Sequence, residues 1–158
     1  DTLGPYGRRG KSVTTHLWAT GYGDATHADL AQMCLDRYEQ TRGDGYKALA
    51  LAAAARYVDS TPNTKIALHP GVPGQVILLL LRAHRLTGEE RYLDGADALA
   101  RLVVPLFWDG TSPLPRATTK HAHYEAITRA DTLALALLHL WAAQQTPRVK
   151  LPYANCER

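Results

Sequence analysis

Several features that would assign the chain to a specialised protein class are scarce in its sequence. Only two of the 158 residues are cysteines, which excludes a disulfide-dense miniprotein, and Cys34 and Cys156 are both predicted to be unpaired. The purest apolar run, Val76–Leu81, is far shorter than the roughly 18–20 residues of a membrane-spanning helix. The net charge is only +3 and the basic residues are scattered, which argues against a nucleic-acid-binding surface. We therefore expect neither a membrane nor a nucleic-acid partner.

The remaining composition is that of a globular domain. Hydrophobic residues make up 46% of the chain and charged residues 21%, close to the average of folded proteins, which excludes an acidic disordered tail and a collagen-like fibre. We expect one α-hairpin domain over residues 1–158, or a fragment of a larger one, with an irregular segment over residues 1–23 and an extended tail over residues 147–158.

Five helices are predicted from apolar spacing and from residues that start and stop helices. Thr26 and Asp29 have the spacing of a capping box at the start of the first helix, and Gly43 with Gly45 is expected to end that helix. No alternating run is long enough to predict a strand, so the fold class is all-α. The other four helices are predicted over residues 46–58, 75–86, 89–106 and 124–143, and the helix over residues 75–86 is expected to end at Thr87 and Gly88.

Helical spacing also predicts which apolar residues of the first two helices face the core. In each helix the predicted residues recur three or four positions apart and so share one face. They are Leu30, Met33, Cys34 and Tyr38 in the first helix, and Tyr46, Leu49, Ala53 and Tyr57 in the second.

The first two helices repeat as the next two. A shift of 46 residues places Leu35 on Leu81, Thr41 on Thr87 and Tyr46 on Tyr92. A period of this length with two helices per unit is typical of an array of antiparallel helical hairpins. The third and fifth helices are apolar on most faces, as expected for inner helices between layers. An array this short should leave those faces open, which predicts a partner segment or a second subunit.

The segment Leu81–Ala96 reads LRAHRLTGEERYLDGA and resembles the hairpins of (α/α)-toroid carbohydrate-active enzymes. That group includes polysaccharide lyases, several glycoside hydrolases and N-acylglucosamine 2-epimerase-like proteins, and the resemblance extends over roughly residues 23–143. It implies a partial (α/α) toroid, because the chain has two complete hairpins and one further inner helix, about half of a ring. The other half would come from missing sequence or from a second subunit.

The inner helices of such an array start on the same side, so three segments are expected to meet at one mouth: His16–His27, Ile66–Gln75 and Trp108–Asp131. These segments hold five of the seven histidines, whereas the turns at the opposite end hold none. Aromatic rings beside titratable groups suit sugar binding. The residues expected to bind substrate are Trp18, Tyr22, His27, Trp108, His121, Glu125 and Arg129.

Four residues are candidates for catalysis: Tyr124, His123, His69 and Asp24. The resemblance to toroid lyases implies an acid and a base from Tyr124 and a histidine, with Arg129 binding a uronate carboxylate. The alternative is that these side chains only cap helices. No metal or cofactor is assigned; zinc through His121 and His123 with a carboxylate, or calcium, stays an alternative.

The sequence-based hypothesis is a carbohydrate-active enzyme that cleaves an acidic, uronate-containing glycan by β-elimination. A glycoside hydrolase would instead use two carboxylates across the cleft, and an epimerase would use two histidines on opposite faces. A non-catalytic helical-repeat module that binds a protein is the third possibility. The compartment is left open, with secreted or periplasmic as the preferred choice.

Overall fold

The structure is a computed structural model that describes residues 16–19, 21, 24–145, 149 and 151. Within these residues the chain forms five α-helices and one 3₁₀ turn, with isolated β-bridges and no strand, so the predicted all-α class is confirmed. Most of the predicted irregular segment and of the predicted tail lies outside the described residues. The elements are α1 (His27–Thr41), α2 (Asp44–Val58), α3 (Gly71–Thr87), α4 (Glu90–Phe107), the 3₁₀ turn Ala126–Thr128 and α5 (Ala130–Gln144).

The start of α1 and the end of α3 are confirmed as predicted. The Thr26 hydroxyl accepts the Asp29 N–H at 3.2 Å, and the Asp29 carboxylate accepts the Thr26 N–H at 2.9 Å, which completes the capping box. Gly88 follows α3 in the left-handed region, with φ 74°, a conformation that costs glycine little because it has no Cβ.

The predicted end of α1 is wrong. Its left-handed residue is Arg42, with φ 57°, whose N–H donates to the Tyr38 carbonyl at 2.7 Å. Gly43 instead precedes α2 and Gly45 lies inside it. The Arg42 guanidinium lies 5.7 Å from the centre of the Tyr38 ring, and this cation–π contact offsets part of the strain of a side chain in this conformation.

The predicted starts of the third and fifth helices are also displaced. α3 begins at Gly71, four residues early, because Pro73 is tolerated in a first turn whose N–H groups have no intrahelical partner. α5 begins six residues late, because the Thr128 hydroxyl donates to the Glu125 carbonyl at 2.7 Å and closes a 3₁₀ turn. Arg129 follows in the left-handed region, with φ 62°, and separates that turn from α5.

The helices form two layers. α1, α3 and α5 make the inner layer, with α3 between the other two, and α2 and α4 pack side by side in the outer layer. α1 with α2 and α3 with α4 are the two helical hairpins. α3 contacts every other helix, and Val76–Leu81 is buried throughout. The prediction that α3 would show an open apolar face is therefore wrong, whereas α5 does expose Leu138 and Trp141.

The predicted apolar faces of α1 and α2 are wrong at four of the eight residues, because Leu30, Met33, Tyr46 and Leu49 are exposed. Tyr57 is buried, and Cys34 and Ala53 are partly buried against the core, as the spacing predicts. The residues buried in these helices are Ala28, Ala31, Gln32, Leu35, Ala50, Ala54 and Tyr57.

Tyr57 joins α2 to the start of α1. Its hydroxyl accepts the Ala28 N–H at 2.9 Å and donates to the Leu17 carbonyl. Burial raises the pKa of this phenol to about 12, against smaller opposing effects of its hydrogen bonds. The hydroxyl is therefore a stable, protonated link between the helix and the segment that precedes α1.

A buried arginine links α1 to α3. The Arg82 side chain is 1% exposed, and its guanidinium donates at 2.7 Å to both Gln32 and Asp36 and at 2.8 Å to Glu39. All three acceptors lie on α1. Two carboxylates neutralise the buried charge. If α1 moved away from α3, the guanidinium would stay in the core without a negative partner.

On its other side α3 meets α5 through glycine. A Cβ at Gly74 would lie 2.8 Å from the Leu133 nitrogen, and one at Gly71 would lie 2.6 Å from the Arg129 Cβ. Gly74 and Leu133 are each the fourth residue of their helix, so the N-terminal ends of α3 and α5 lie level.

We expect Gly74→Ala to lower the free energy of unfolding by about 1–3 kcal/mol, because the new methyl group overlaps backbone atoms of α5 that cannot rotate away. Thermal and urea denaturation measure this change. The matched control is Gly95→Ala in α4, whose Cβ would lie no closer than 3.5 Å to any atom, and which should be neutral or stabilising by up to about 1 kcal/mol. Equal stability of the two variants would contradict the close approach.

Candidate functional site

A cavity of about 410 Å³ lies where the N-terminal ends of α1, α3 and α5 meet. We call it the three-helix cavity. Each of the three segments that were predicted to share a mouth contributes to its wall. The lining residues are Ala19, Gly21, Asp24, Ala25, Asp29, His69, Gly71, Val72, Gln75, Ile127, Thr128 and Arg129.

The backbone at the cavity favours anions. The first amides of a helix have no intrahelical acceptor, and they carry the positive end of the helix dipole. In α1 the capping box satisfies part of this demand, but neither α3 nor α5 has a side-chain cap. The N-terminal ends of α3 and α5, which have no side-chain cap, both lie at this space, although the Val72 N–H already donates to the His69 carbonyl and the Thr132 N–H to the Arg129 carbonyl.

Arg129 is the cation of the cavity wall. It immediately precedes α5, and its Nη1 lies 3.9 Å from the Asp29 carboxylate, at the limit of an ion pair. The guanidinium has five N–H donors, and a single long contact leaves most of them for another acceptor. Its place depends on Gly71, because any side chain at that position would collide with the Arg129 Cβ.

His69 is the histidine that lines the cavity. Burial lowers the pKa of its imidazole below 6.5, the Glu125 carboxylate opposes this effect, and His121 adds to it. The ring is therefore neutral at neutral pH, the form in which an imidazole nitrogen accepts a proton.

Gln75 was not predicted as a functional residue. It is 4% exposed and lines the cavity one turn into α3. Its carbonyl accepts the Gln32 amide at 3.3 Å, but its own side-chain amide makes no hydrogen bond to any residue that the structure describes. The signal in the sequence is one polar residue at the start of a run of apolar ones. The side-chain amide is not among the fully buried unpaired polar groups of the described residues, so it is accessible from the cavity, where a ligand can hydrogen-bond to it.

The two carboxylates of the wall are already engaged. Asp24 accepts the Gly21 N–H at 2.9 Å, and Asp29 serves the capping box. The sequence predicts Asp24 as a catalytic candidate and Asp29 only as a helix cap. The structure places both at the cavity, with Asp29 facing Arg129.

The cluster at residues 121–125 lies beside the cavity and contributes none of its lining. His123 contacts Glu125 at 2.6 Å, His121 contacts Thr118 at 2.8 Å, and Tyr124 is exposed. Because Glu125 and His121 both act on the pKa of His69, the cluster is close enough to influence the cavity. The catalytic and binding roles expected of these residues stay predictions.

The aromatic residues expected to stack on sugar are not brought to the cavity wall. The Trp18 indole donates to the Ser60 hydroxyl at 3.2 Å and meets the Tyr57 ring edge-on at 5.2 Å. Trp108 packs against the core, and its backbone N–H donates to the Val104 carbonyl. His27 begins α1 outside the lining, and Tyr22 lies outside the described residues. Their roles in substrate binding also stay predictions.

Among the residues that the structure describes, no three His, Cys, Asp or Glu side chains are grouped so that they could hold a metal ion. None of the helices described there has the length and apolar character needed to cross a membrane.

Comparison with known proteins gives no relative, since no family model, no curated protein and no solved structure matches the chain. The likeness to toroid carbohydrate-active enzymes therefore rests on the hairpin motif alone. Function has to be argued from the three-helix cavity.

We expect His69 to titrate below 6.5, because burial disfavours its charged form. As the pH falls through 6.5, the His69 imidazole takes up a proton in the unfolded chain before it does so in the folded chain. Acidification therefore lowers the free energy of unfolding. His69→Gln should make the melting temperature less sensitive to acid over this range. NMR titration of the imidazole, assigned with the same variant, gives the pKa, and a value at or above 6.5 would contradict the buried placement.

Proposed function

We propose that the chain binds a carboxylate-bearing sugar, the uronate unit of an acidic glycan, in the three-helix cavity. The observation that carries this proposal is that Arg129 and His69 line one cavity at the uncapped N-termini of α3 and α5. A guanidinium pairs with a carboxylate through two parallel hydrogen bonds, and the helix N-termini add favourable potential for the same anion.

The size and polarity of the cavity fit such a ligand. Its volume of about 410 Å³ lies within the roughly 300–1,000 Å³ of small-molecule sites, toward the lower end, which suits one or two sugar rings. The buried amide of Gln75 offers a donor and an acceptor to the ring hydroxyls, while Val72 and Ile127 supply apolar surface.

We further propose that the bound uronate is cleaved by β-elimination with His69 as the base. The neutral imidazole removes the proton from the ring carbon next to the carboxylate, and the electron pair of that C–H bond forms a carbon–carbon double bond. The bond from the adjacent carbon to the glycosidic oxygen breaks, and this oxygen leaves with a proton from the imidazolium or from water. Arg129 stabilises the negative charge that builds on the carboxylate during the step.

The sequence predicts Tyr124 and a histidine as the acid and the base, with His123 and His69 among the candidates; the present assignment keeps His69 and omits Tyr124, which does not line the cavity. The support for His69 is its place in the cavity wall together with a pKa lowered by burial. A base that is neutral at working pH needs no prior deprotonation before it accepts the substrate proton.

We expect Arg129→Gln to weaken uronate binding by about 10–100-fold, because a charge-assisted hydrogen bond contributes about 1.5–3 kcal/mol. Calorimetry or ligand-observed NMR with glucuronate, galacturonate and their oligomers measures this change. Arg101→Gln is the matched control, since Arg101 also pairs with an aspartate but lies on α4 away from the cavity. Equal affinity of both variants, or equal binding of neutral glucose, would refute the carboxylate site.

We expect His69→Gln to keep uronate binding and to lose formation of the unsaturated product, by about 100-fold or more, since a positioned general base contributes about 10²–10⁴-fold. Ultraviolet absorbance of the new double bond measures the reaction over a panel of acidic glycans. His139→Gln is the control, because this histidine is half-buried on α5 far from the lining residues. Release of reducing ends without the absorbance would identify hydrolysis instead, and binding without either product would leave a glycan-binding module.

A further inference from the structure

In the part of the chain that the structure describes, both ends of the inner helical layer expose apolar side chains. α1 exposes Leu30 and Met33, and α5 exposes Leu138 and Trp141. Because α3 lies between α1 and α5, these faces are at opposite ends of the row. We call Leu30, Met33 and Arg37 the α1 edge, and Ala134, Leu138 and Trp141 the α5 edge.

The internal repeat shows what kind of surface the α1 edge is. The 46-residue shift that aligns α1 with α3 places Leu30 on Val76 and Met33 on Leu79. Both α3 residues are 0% exposed, whereas Met33 is 60% exposed. The same face of the repeat is thus buried in α3 and exposed to solvent in α1. The α1 edge has the composition of a packing face whose neighbour is missing.

The α5 edge is the corresponding surface at the other end. Leu138 and Trp141 are three residues apart and share a face of α5, opposite the face on which Leu133 and Ala136 are buried against α3. The position next to α5, where a following inner helix of the array would lie, is therefore lined mainly by exposed apolar side chains, with the exposed Asp131 at the N-terminal end of the same face.

We propose that copies of this chain associate head to tail, with the α5 edge of one copy packed on the α1 edge of the next. The inner layer then continues across the junction in the same order of helices. A second copy is the occupant that the repeat predicts, since its α1 carries the face that α3 buries within one chain. The contact is heterologous, because two different surfaces meet at each junction.

The side chains match in register when the junction follows the packing of α3 on α5. In that packing the fourth residue of one helix lies level with the fourth of the other, at Gly74 and Leu133. Applied to the junction, Leu30 lies level with Leu133 and within one residue of Ala134, and Arg37 lies within one residue of Trp141. A guanidinium against an indole face is a favourable cation–π pair, so the polar member of the α1 edge also has a partner.

Sedimentation velocity or light scattering over a range of concentrations tests the proposal on the full 158-residue chain. We expect the mass to exceed that of one copy and to rise with concentration. Met33→Glu and Trp141→Glu should each raise the apparent dissociation constant by more than about tenfold, because a charge is placed in an apolar contact. Leu49→Glu on α2 is the matched control: Leu49 is 61% exposed, like Met33, but lies in the outer layer, and its assembly should be unchanged.

Mixing the two variants distinguishes head-to-tail contact from symmetric contact. Met33→Glu keeps its α5 edge and Trp141→Glu keeps its α1 edge, so an equimolar mixture should form a dimer with one intact junction and grow no further. If Met33→Glu alone still forms dimers, the contact joins two α5 edges, and if Trp141→Glu alone does, it joins two α1 edges; either result overturns the proposal. A wild-type chain that stays monomeric at all concentrations overturns it as well, and circular dichroism verifies that each variant is folded.

Discussion

The absence of two side chains at the start of α3 is the constraint on which the rest of the structure depends. Gly71 and Gly74 let the backbone of α5 reach the first turn of α3, closer than any other residue would permit. This contact brings the N-terminal ends of the inner helices level, and it is why Arg129 stands at the wall of the three-helix cavity. The geometry of the proposed site is thus a consequence of helix packing rather than of a flexible loop.

The central helix is held differently on its two sides. Toward α5, the backbone of α3 at Gly74 lies directly against the backbone of α5, so a side chain at Gly74 would not fit between them. Toward α1 the contact is made by Arg82, whose long side chain reaches Gln32, Asp36 and Glu39. A buried cation between two carboxylates specifies one arrangement of α1 and α3, because every shifted arrangement would leave charge unpaired. Together the two contacts keep three helix N-termini around one space.

Sequence reasoning succeeded where the determining interactions are local. The capping box of Thr26 and Asp29, the left-handed Gly88 and the buried apolar run Val76–Leu81 of α3 all follow from residues a few positions apart. It failed where distant groups decide. Met33 has the helical spacing of a core residue but is exposed, and nothing in the order of residues marks Gln75 as lining a cavity. The convergence of three segments was predictable from the repeat, but the choice of His69 over its neighbours required the packing of α5.

Position 129 combines a left-handed backbone conformation with a positively charged side chain at the three-helix cavity. Glycine or asparagine would occupy its left-handed conformation with less strain, yet neither carries a charge for the cavity. If selection acted on foldability alone, this position would drift toward those smaller residues. An arginine at this position therefore lowers the stability of the fold and raises the positive potential at the three-helix cavity. Its retention among natural variants of the chain would indicate a ligand that requires this charge.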